Sequence, residues 1–424
     1  MIKAEKRTGH IYLNIFVASM LLLFILFTVG LFKNPMGVQR NIFFVGLNDL
    51  FADFFNVLRY ISERDPYFNT INGSGEKIYL PFAYLLLYPF SQLDNFNTMT
   101  LQQAWTSKMG IMSAFWFTAA SFFFLFLSLN QIRKQYGIPF SALLVLCFSC
   151  VFIFSIERGN LIVLSAAFVS VYLSYYDSDD KNKRVTANIC LALAAVLKIY
   201  PVLLGFLYLG QKQYKDIFRS AIITLLLTFV PFVFFRGGFS NVFQLINNIR
   251  DNSETYNFAL LYPRFSFSHL VYCSLILLGL TNKMVLSLSN AAYYVMILVS
   301  IFSICCSLLI KNKWIKITLL ILVLIYLPVN SGLYCGLYLF PVIILFFATP
   351  KERSGVLNGF ILIVFIILLN PFQFSISYRN IDIGINYLFG NVALLSLWLV
   401  LLIISGKEVL VNKFKLRKYT GGNK

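Results

Sequence analysis

Apolar residues in this chain fall in long blocks, roughly 17 to 25 positions each, parted by short polar turns rich in Lys and Arg. A helix of that length crosses about 30 Å of hydrocarbon. The pattern predicts spans at 12–32, 104–129, 139–156, 161–176, 219–235, 284–310, 315–331, 333–349, 356–372 and 386–405. The block at 185–210 is different, because basic stretches flank it on both sides and so imply an even number of crossings. Each half has only about 12 residues, or roughly 18 Å of helix. A broken hairpin with Lys198, Tyr200 and Pro201 at its apex resolves the conflict.

Between the first two spans the period changes. Polar residues stand at Asp49, Asp53, Asn56, Tyr60 and Glu63, with Leu50, Phe54, Val57, Leu58 and Ile61 on other faces. This predicts an amphipathic helix lying on the bilayer surface. Asp49 and Asp53 are one turn apart on it, so each should disfavour ionisation of the other. Tyr79 to Phe90 is apolar but short and bounded by prolines, and reads as a second interfacial or re-entrant helix. The expected fold is all-α, a polytopic bundle of about 11–13 membrane helices. Residues 1–424 form a single integral membrane domain, with a first external loop at 33–103 and a second at 236–283. The ten-residue alternating strands of a β-barrel are absent.

Composition agrees: 59% of residues are hydrophobic and only 12% charged, which leaves no soluble domain to account for. The net charge of +18 sits in short loops, where positive-inside bias explains it without nucleic acid. That bias places both termini in the cytoplasm. The first block lacks a small-residue cleavage site and reads as a retained helix. The seven cysteines lie in or beside apolar blocks, and only His10 and His269 are present. Disulfide, zinc and haem frameworks are therefore poor readings, no metal site or cofactor is expected, and a divalent cation is left open.

Asp53 and Asp49 are the first candidates for chemistry. They are either solvated charges on a wet helix face or a general base at membrane depth. Lys198, deep in an apolar block, either snorkels or meets an anion such as a lipid phosphate, with Tyr200 beside it. Arg158, Arg236, Arg250 and Arg264 stand at external helix ends, where they anchor the interface or hold phosphate. Asn160 caps the fourth span or touches substrate. His269 reads as a core or interface residue. Asn330, Tyr334 and Tyr338 accompany Gly332 and Gly336, a spacing that suits helix packing.

These residues also carry a resemblance. The order Asp53-Phe-Phe…Asp65-Pro-Tyr67, Tyr79-Leu-Pro-Phe-Ala…Pro89, Arg158-Gly-Asn160-Leu, Leu197-Lys198-Ile-Tyr200-Pro201 and Pro328-Val-Asn330-Ser…Pro341 resembles the C-type multi-spanning glycosyltransferases, most of all glycosyltransferase family 87. The resemblance runs from about 12 to 345. It implies a GT-C-like membrane enzyme of glycan biosynthesis in the cell envelope, of the kind that uses polyprenyl-phosphate mannose. The donor would be a polyprenyl-phosphate-linked sugar and the acceptor a lipid-linked glycan or polysaccharide. Transfer would invert the anomeric centre on the periplasmic side of a bacterial inner membrane. Asp53 would be the base and Lys198 would hold the donor phosphate. Where relatives often carry a histidine, this chain has Asn330-Ser-Gly-Leu-Tyr-Cys335. The competing readings are a transporter or flippase for lipid-linked sugars, which would more often show paired inverted halves, and a polysaccharide polymerase or ligase.

Overall fold

Helix α1 (Ile2–Lys33) begins well before the first apolar block, because the basic residues that precede it are also good helix formers. The computed structural model describes residues 2–33, 49–258, 264–280, 282–328, 331–350, 353–372, 375–378 and 381–420. Helices α2 (Ala52–Ile61) and α3 (Pro81–Ser91) follow, both in the predicted first external segment. The short α4 (Leu101–Thr106) starts on a capping box between Thr100 and Gln103, and Ser107 caps the long α5 (Lys108–Gln135).

The third span, expected to be continuous over 139–156, is broken into α6 (Ser141–Leu146) and α7 (Cys150–Arg158). Ser149 explains the break. Its hydroxyl accepts from Phe152 N–H and donates to the Leu146 carbonyl, so it caps a new helix instead of continuing the old one. Next come α8 (Ile162–Tyr175) and α9 (Lys181–Leu197), the latter capped by Asp180.

At Lys198 the backbone turns extended, then re-enters a 3-10 turn (Tyr200–Gly205) and α10 (Phe206–Gly210). The chain reverses here. Tyr208 packs on Tyr172 and Tyr176 at the far end of α8, and the Tyr172 hydroxyl donates to the Leu204 carbonyl. Helix α11 (Tyr214–Phe229) then leads to a 3-10 turn at Val230–Phe234. Its first turn is pinned to α9, since buried Asp216 accepts from Asn188 at 2.8 Å and pairs with Arg219 and Arg184.

The segment at 236–283, expected as a second external loop, carries helices of its own. It holds α12 (Asn241–Phe258) and the apolar α13 (Phe267–Leu277), which packs on α14 (Asn282–Leu309). Helix α12 clamps the segment between α2 and α3. Asn252 donates to the Gly75 carbonyl at 2.7 Å, and Asn248 to the Lys77 carbonyl at 3.2 Å. Asp251 of the same helix accepts from the Ser74 hydroxyl at 2.5 Å, and the polarity of these residues is why α12 reads as loop in a hydropathy profile.

The chain ends with α15 (Lys313–Tyr326), a 3-10 turn (Leu333–Tyr338), α16 (Leu339–Ala348), α17 (Gly355–Leu369), an antiparallel hairpin of β1 (Ser375–Tyr378) and β2 (Ile381–Gly384), and α18 (Ile385–Thr420). The region of Gly332 and Gly336 is a 3-10 turn that leads into the apolar α16. Gly336 still serves close packing, since a Cβ there would meet Val151 of α7 at 2.8 Å.

Burial sorts these elements into layers. Helix α16, and α15 from Ile317 onward, are almost wholly apolar and buried on all sides, as central helices must be. The rim helices expose large apolar residues, such as Phe218, Leu225 and Leu226 on α11, and these suit lipid rather than water. Among the described residues, five helices are long and apolar enough to cross a membrane: His10–Gly30, Lys108–Gln135, Tyr214–Phe234, Lys283–Leu309 and Ile385–Val411. Shorter apolar helices fill the interior. The protein is a polytopic helical membrane protein. A second apolar cluster joins Phe54, Phe55, Leu58 and Ile61 of α2 to Tyr84 and Leu87 of α3, Phe117 of α5, and Phe232 and Leu245 from the segment after α11. That cluster fixes the polar edge of α2 in place.

Candidate active site

The site grows from the first turn of α2. Phe51 adopts a left-handed conformation, and its N–H donates to the Glu157 carbonyl at 2.7 Å. This docks the start of α2 on the turn between α7 and α8. Gly159 makes the docking possible. It ends α7 at φ +58°, and a Cβ on it would stand 3.0 Å from both Phe51 and Phe54. The residues on either side of Gly159 are thereby aimed at α2.

Arg158 spans the two acids, one guanidinium nitrogen on Asp49 and another on Asp53. The Asn160 amide donates to the second oxygen of Asp53 at 2.5 Å, while its own oxygen accepts from Ile162 N–H. Asn160 therefore both satisfies the first N–H of α8 and partners the carboxylate. Asp53 and Arg158 are each 17% exposed at the side chain, Asp49 is 53% exposed, and so the cluster is open on one side only.

Two sequence-based expectations change here. Asp49 does not share a helix face with Asp53, because α2 starts at Ala52 and Asp49 lies in the turn before it. Nor does mutual repulsion set the carboxylate chemistry. Burial pushes the Asp53 carboxyl up, but Arg158, Asn160 and the more distant Lys198 together outweigh it. The group is held below the usual carboxylate range and is ionised at neutral pH.

Lys198 completes the constellation from the chain reversal. Its Nζ donates to the Tyr79 hydroxyl at 3.1 Å and lies 4.4 Å from the centre of that ring. The Tyr334 ring lies 5.9 Å away and stacks on Phe154 of α7. Tyr200 follows Lys198 by two residues in the same bend. Asp49, Asp53, Tyr79, Arg158, Asn160, Lys198, Tyr200 and Tyr334 thus come from five separate stretches to one end of the bundle. Tyr79 was not singled out as a site residue in the sequence, although it opens the Tyr79-Leu-Pro-Phe motif.

Other candidates lie elsewhere. Arg236 pairs with Glu63 at 3.4 Å on the surface, and its N–H donates to the Arg64 carbonyl. Arg250 pairs with Glu254 one turn away. Arg264 is buried rather than interfacial, and its carbonyl accepts from Asn391 of α18. His269 is buried one turn from Cys273. Asn330 lies outside the described residues. Among the described residues, no group of three or more His, Cys, Asp or Glu side chains could hold a metal ion.

An acid-cation arrangement of this kind can do two things. A carboxylate fixed by two donors can take a proton from a hydroxyl, and two cations flanked by aromatic faces can hold an anionic group next to it. Residues 78–298 match the model of glycosyltransferase family 87. No curated protein matches the chain. The matched region contains Tyr79, Arg158, Asn160, Lys198 and Tyr200, while Asp53 precedes it and Tyr334 follows it.

Proposed function

From the premise that this chain belongs to glycosyltransferase family 87, and so is a membrane glycosyltransferase, we propose that it moves a hexose or pentose, mannose being the first choice, from a polyprenyl-phosphate donor to an acceptor hydroxyl. The acceptor is a lipid-linked glycan or polysaccharide. The observation that carries this reading is the placement of the Asp53 carboxylate between Arg158, Asn160 and Lys198.

In this reading Asp53 accepts the acceptor's hydroxyl proton as the oxygen attacks the anomeric carbon. The bond from that carbon to the phosphate oxygen breaks, and its electron pair leaves with the polyprenyl phosphate. Attack from the face opposite the leaving group inverts the centre. Lys198 and Arg158 hold the phosphate and stabilise its added charge, and Tyr79 can offer its hydroxyl hydrogen to a phosphate oxygen. Tyr334 and Tyr200 shield Lys198 from water. Asn160 keeps the carboxylate oriented. Asp49 shares Arg158 and so sets how much of its charge falls on Asp53. The lipid donor brings its own leaving group, so no metal is required by this chemistry. The site would face the periplasm of a bacterial inner membrane, with both termini cytoplasmic, in keeping with the basic loops.

The test is sugar transfer by the purified protein in nanodiscs, with a panel of polyprenyl-phosphate sugars and a lipid extract as acceptor. Wild type should form product, and Asp53→Asn should form none while still folding, at a somewhat lower unfolding temperature because the ion pair with Arg158 is lost. Full activity in Asp53→Asn would remove it as the base. Donor movement across vesicles without any product would favour a transporter.

A further inference from the structure

Helix α12 divides its surface three ways rather than two. Asn241, Leu245 and Asn248 are buried, and with Asn252 they recur at the spacing of a single helix face. That face meets the rest of the protein. Asn241 donates to the Arg236 and Gly238 carbonyls at 2.8 Å, Asn248 to the Lys77 carbonyl and Asn252 to the Gly75 carbonyl. At about 100° per residue, the rest of the helix falls into two further sectors. Val242, Phe243, Ile246 and Ile249 occupy one. Gln244, Asn247, Asp251 and Glu254 occupy the other, and exposed Arg250 stands on the border between them.

The apolar sector lies outward. Phe243 is 73% exposed and Ile246 58%, and Ile249 is exposed as well, while the asparagines of the same helix are turned in. A helix bathed in water does the opposite. The sector also continues a surface already assigned to lipid. Exposed Val230 and Val233 lie at the end of the membrane-crossing stretch Tyr214–Phe234. Exposed Phe239 joins them to α12, since its ring lies 6.4 Å from that of Phe232, which in turn lies 6.4 Å from that of Phe229 on α11.

We infer that α12 lies along the membrane surface, in the leaflet where α11 ends, with Val242, Phe243, Ile246 and Ile249 among lipid acyl chains and the Gln244, Asn247, Asp251 and Glu254 sector in water. Protein on one side, hydrocarbon on a second and water on a third is the environment that a three-way division of side chains fits. Arg250, on the border, keeps its charge at the level of the lipid headgroups while its stem lies against the apolar sector. The helix seated in this way braces the segment that leads to the site. Asn248 and Asn252 hold that segment at Lys77 and Gly75, and Tyr79, two residues beyond Lys77, accepts from Lys198. The inference does not depend on which sugar is moved or on where it goes.

The test is nitroxide accessibility in the full chain, reconstituted into vesicles of phosphatidylethanolamine and phosphatidylglycerol. Phe243→Cys, Ile246→Cys, Asn247→Cys and Glu254→Cys are made one at a time in a Cys305→Ser background, because Cys305 is an exposed native thiol. Leu225→Cys, on the exposed apolar face of α11, is the lipid-facing reference, and the signal of the background protein is subtracted. Labels replacing Phe243 and Ile246 should collide more often with oxygen, which concentrates in hydrocarbon, than with a water-soluble nickel chelate, as the reference does. Labels replacing Asn247 and Glu254 should show the reverse. If one apolar variant fails to fold, Ile249→Cys takes its place. More collisions with nickel than with oxygen in the apolar sector would put it in water and overturn the proposal. Few collisions with either reagent there would show a protein cover, such as a second copy of the chain, and would overturn it equally. The same reading in both sectors would remove the border and the surface-parallel placement with it.

Discussion

Asn160 donates to the Asp53 carboxylate at 2.5 Å across 107 residues of chain. The contact joins the residue leading into one interior helix to the first turn of a surface helix, and Arg158 doubles it from the other side of Gly159. The arrangement makes the carboxylate anionic and fixes its direction. Its consequences can be measured.

The titration of Asp53 has a definite sign. Its carboxyl is held below the usual range, because Arg158, Asn160 and Lys198 outweigh burial. A lowered folded-state value contributes stability that is in place above the unfolded group's titration and is lost as pH falls through the folded value. Thermal stability should therefore hold from neutrality to about pH 5 and decline only at more acid pH. In Arg158→Gln burial meets less opposition, so the carboxyl titrates higher and the acid-side decline shrinks. Identical acid dependence in both proteins would show that Arg158 does not govern Asp53.

Tyr79 and Lys198 should separate in kinetics. Lys198→Ala removes a charge and should raise donor KM strongly. Tyr79→Phe keeps the ring beneath Lys198 but removes one hydroxyl, for which a change of about tenfold or less in kcat/KM is expected. An effect of Tyr79→Phe as large as that of Lys198→Ala would mean that the hydroxyl, not the cation, is the main phosphate ligand.

Gly159→Ala should act as a wedge. The position needs a positive φ, which costs an L-residue about 1–2 kcal/mol, and the new methyl would press on Phe51 and Phe54. Both stability and transfer should fall, since Arg158 and Asn160 flank the wedge. Wild-type transfer with lowered stability would uncouple the turn from the site.

Asp216 lies at the opposite end of α9 from Lys198. It is buried and gathers Asn188, Arg184 and Arg219. Asp216→Ala leaves these donors without their acceptor and should cost about 1–3 kcal/mol. Asp216→Asn keeps one acceptor oxygen and should cost less. Calorimetry in detergent reads the difference, and equal stability of both variants with wild type would remove the network from the ledger of what holds α9 to α11.

Much of this was legible in the residues, for reasons that can be named. A lysine in the middle of an apolar block has few structural excuses, so Lys198 marked the chain reversal before any coordinates. Asp53 stood out because the period changed around it. What escaped notice depended on single side chains acting locally. Ser149 caps where a span was expected to run on, and a hydropathy profile is blind to one hydroxyl. Helix α12 is too polar to register as a membrane-protein element, because its partners are backbone carbonyls of a distant segment. Asp49 fits the helical period but lies two residues before Phe51, where the backbone turns left-handed. Tyr79 looked like one more aromatic in a chain with 24 tyrosines. Only the Lys198 contact distinguishes it.

The order in which these residues occur along the chain also sets a schedule for the ribosome. Asp53 emerges early, Arg158 about a hundred residues later, Lys198 after that, and Tyr334 only when most of the polypeptide has been made. Beyond Lys316 helix α15 is buried on every side and has no water-facing edge on which to wait, and so must enter a membrane where its neighbours already stand. A nascent chain therefore holds its acid and its first cation long before the aromatic wall over Lys198 exists. In the proposed site, competence for transfer arrives as one of the last events of biogenesis, and a chain halted before Tyr334 should be inserted yet silent.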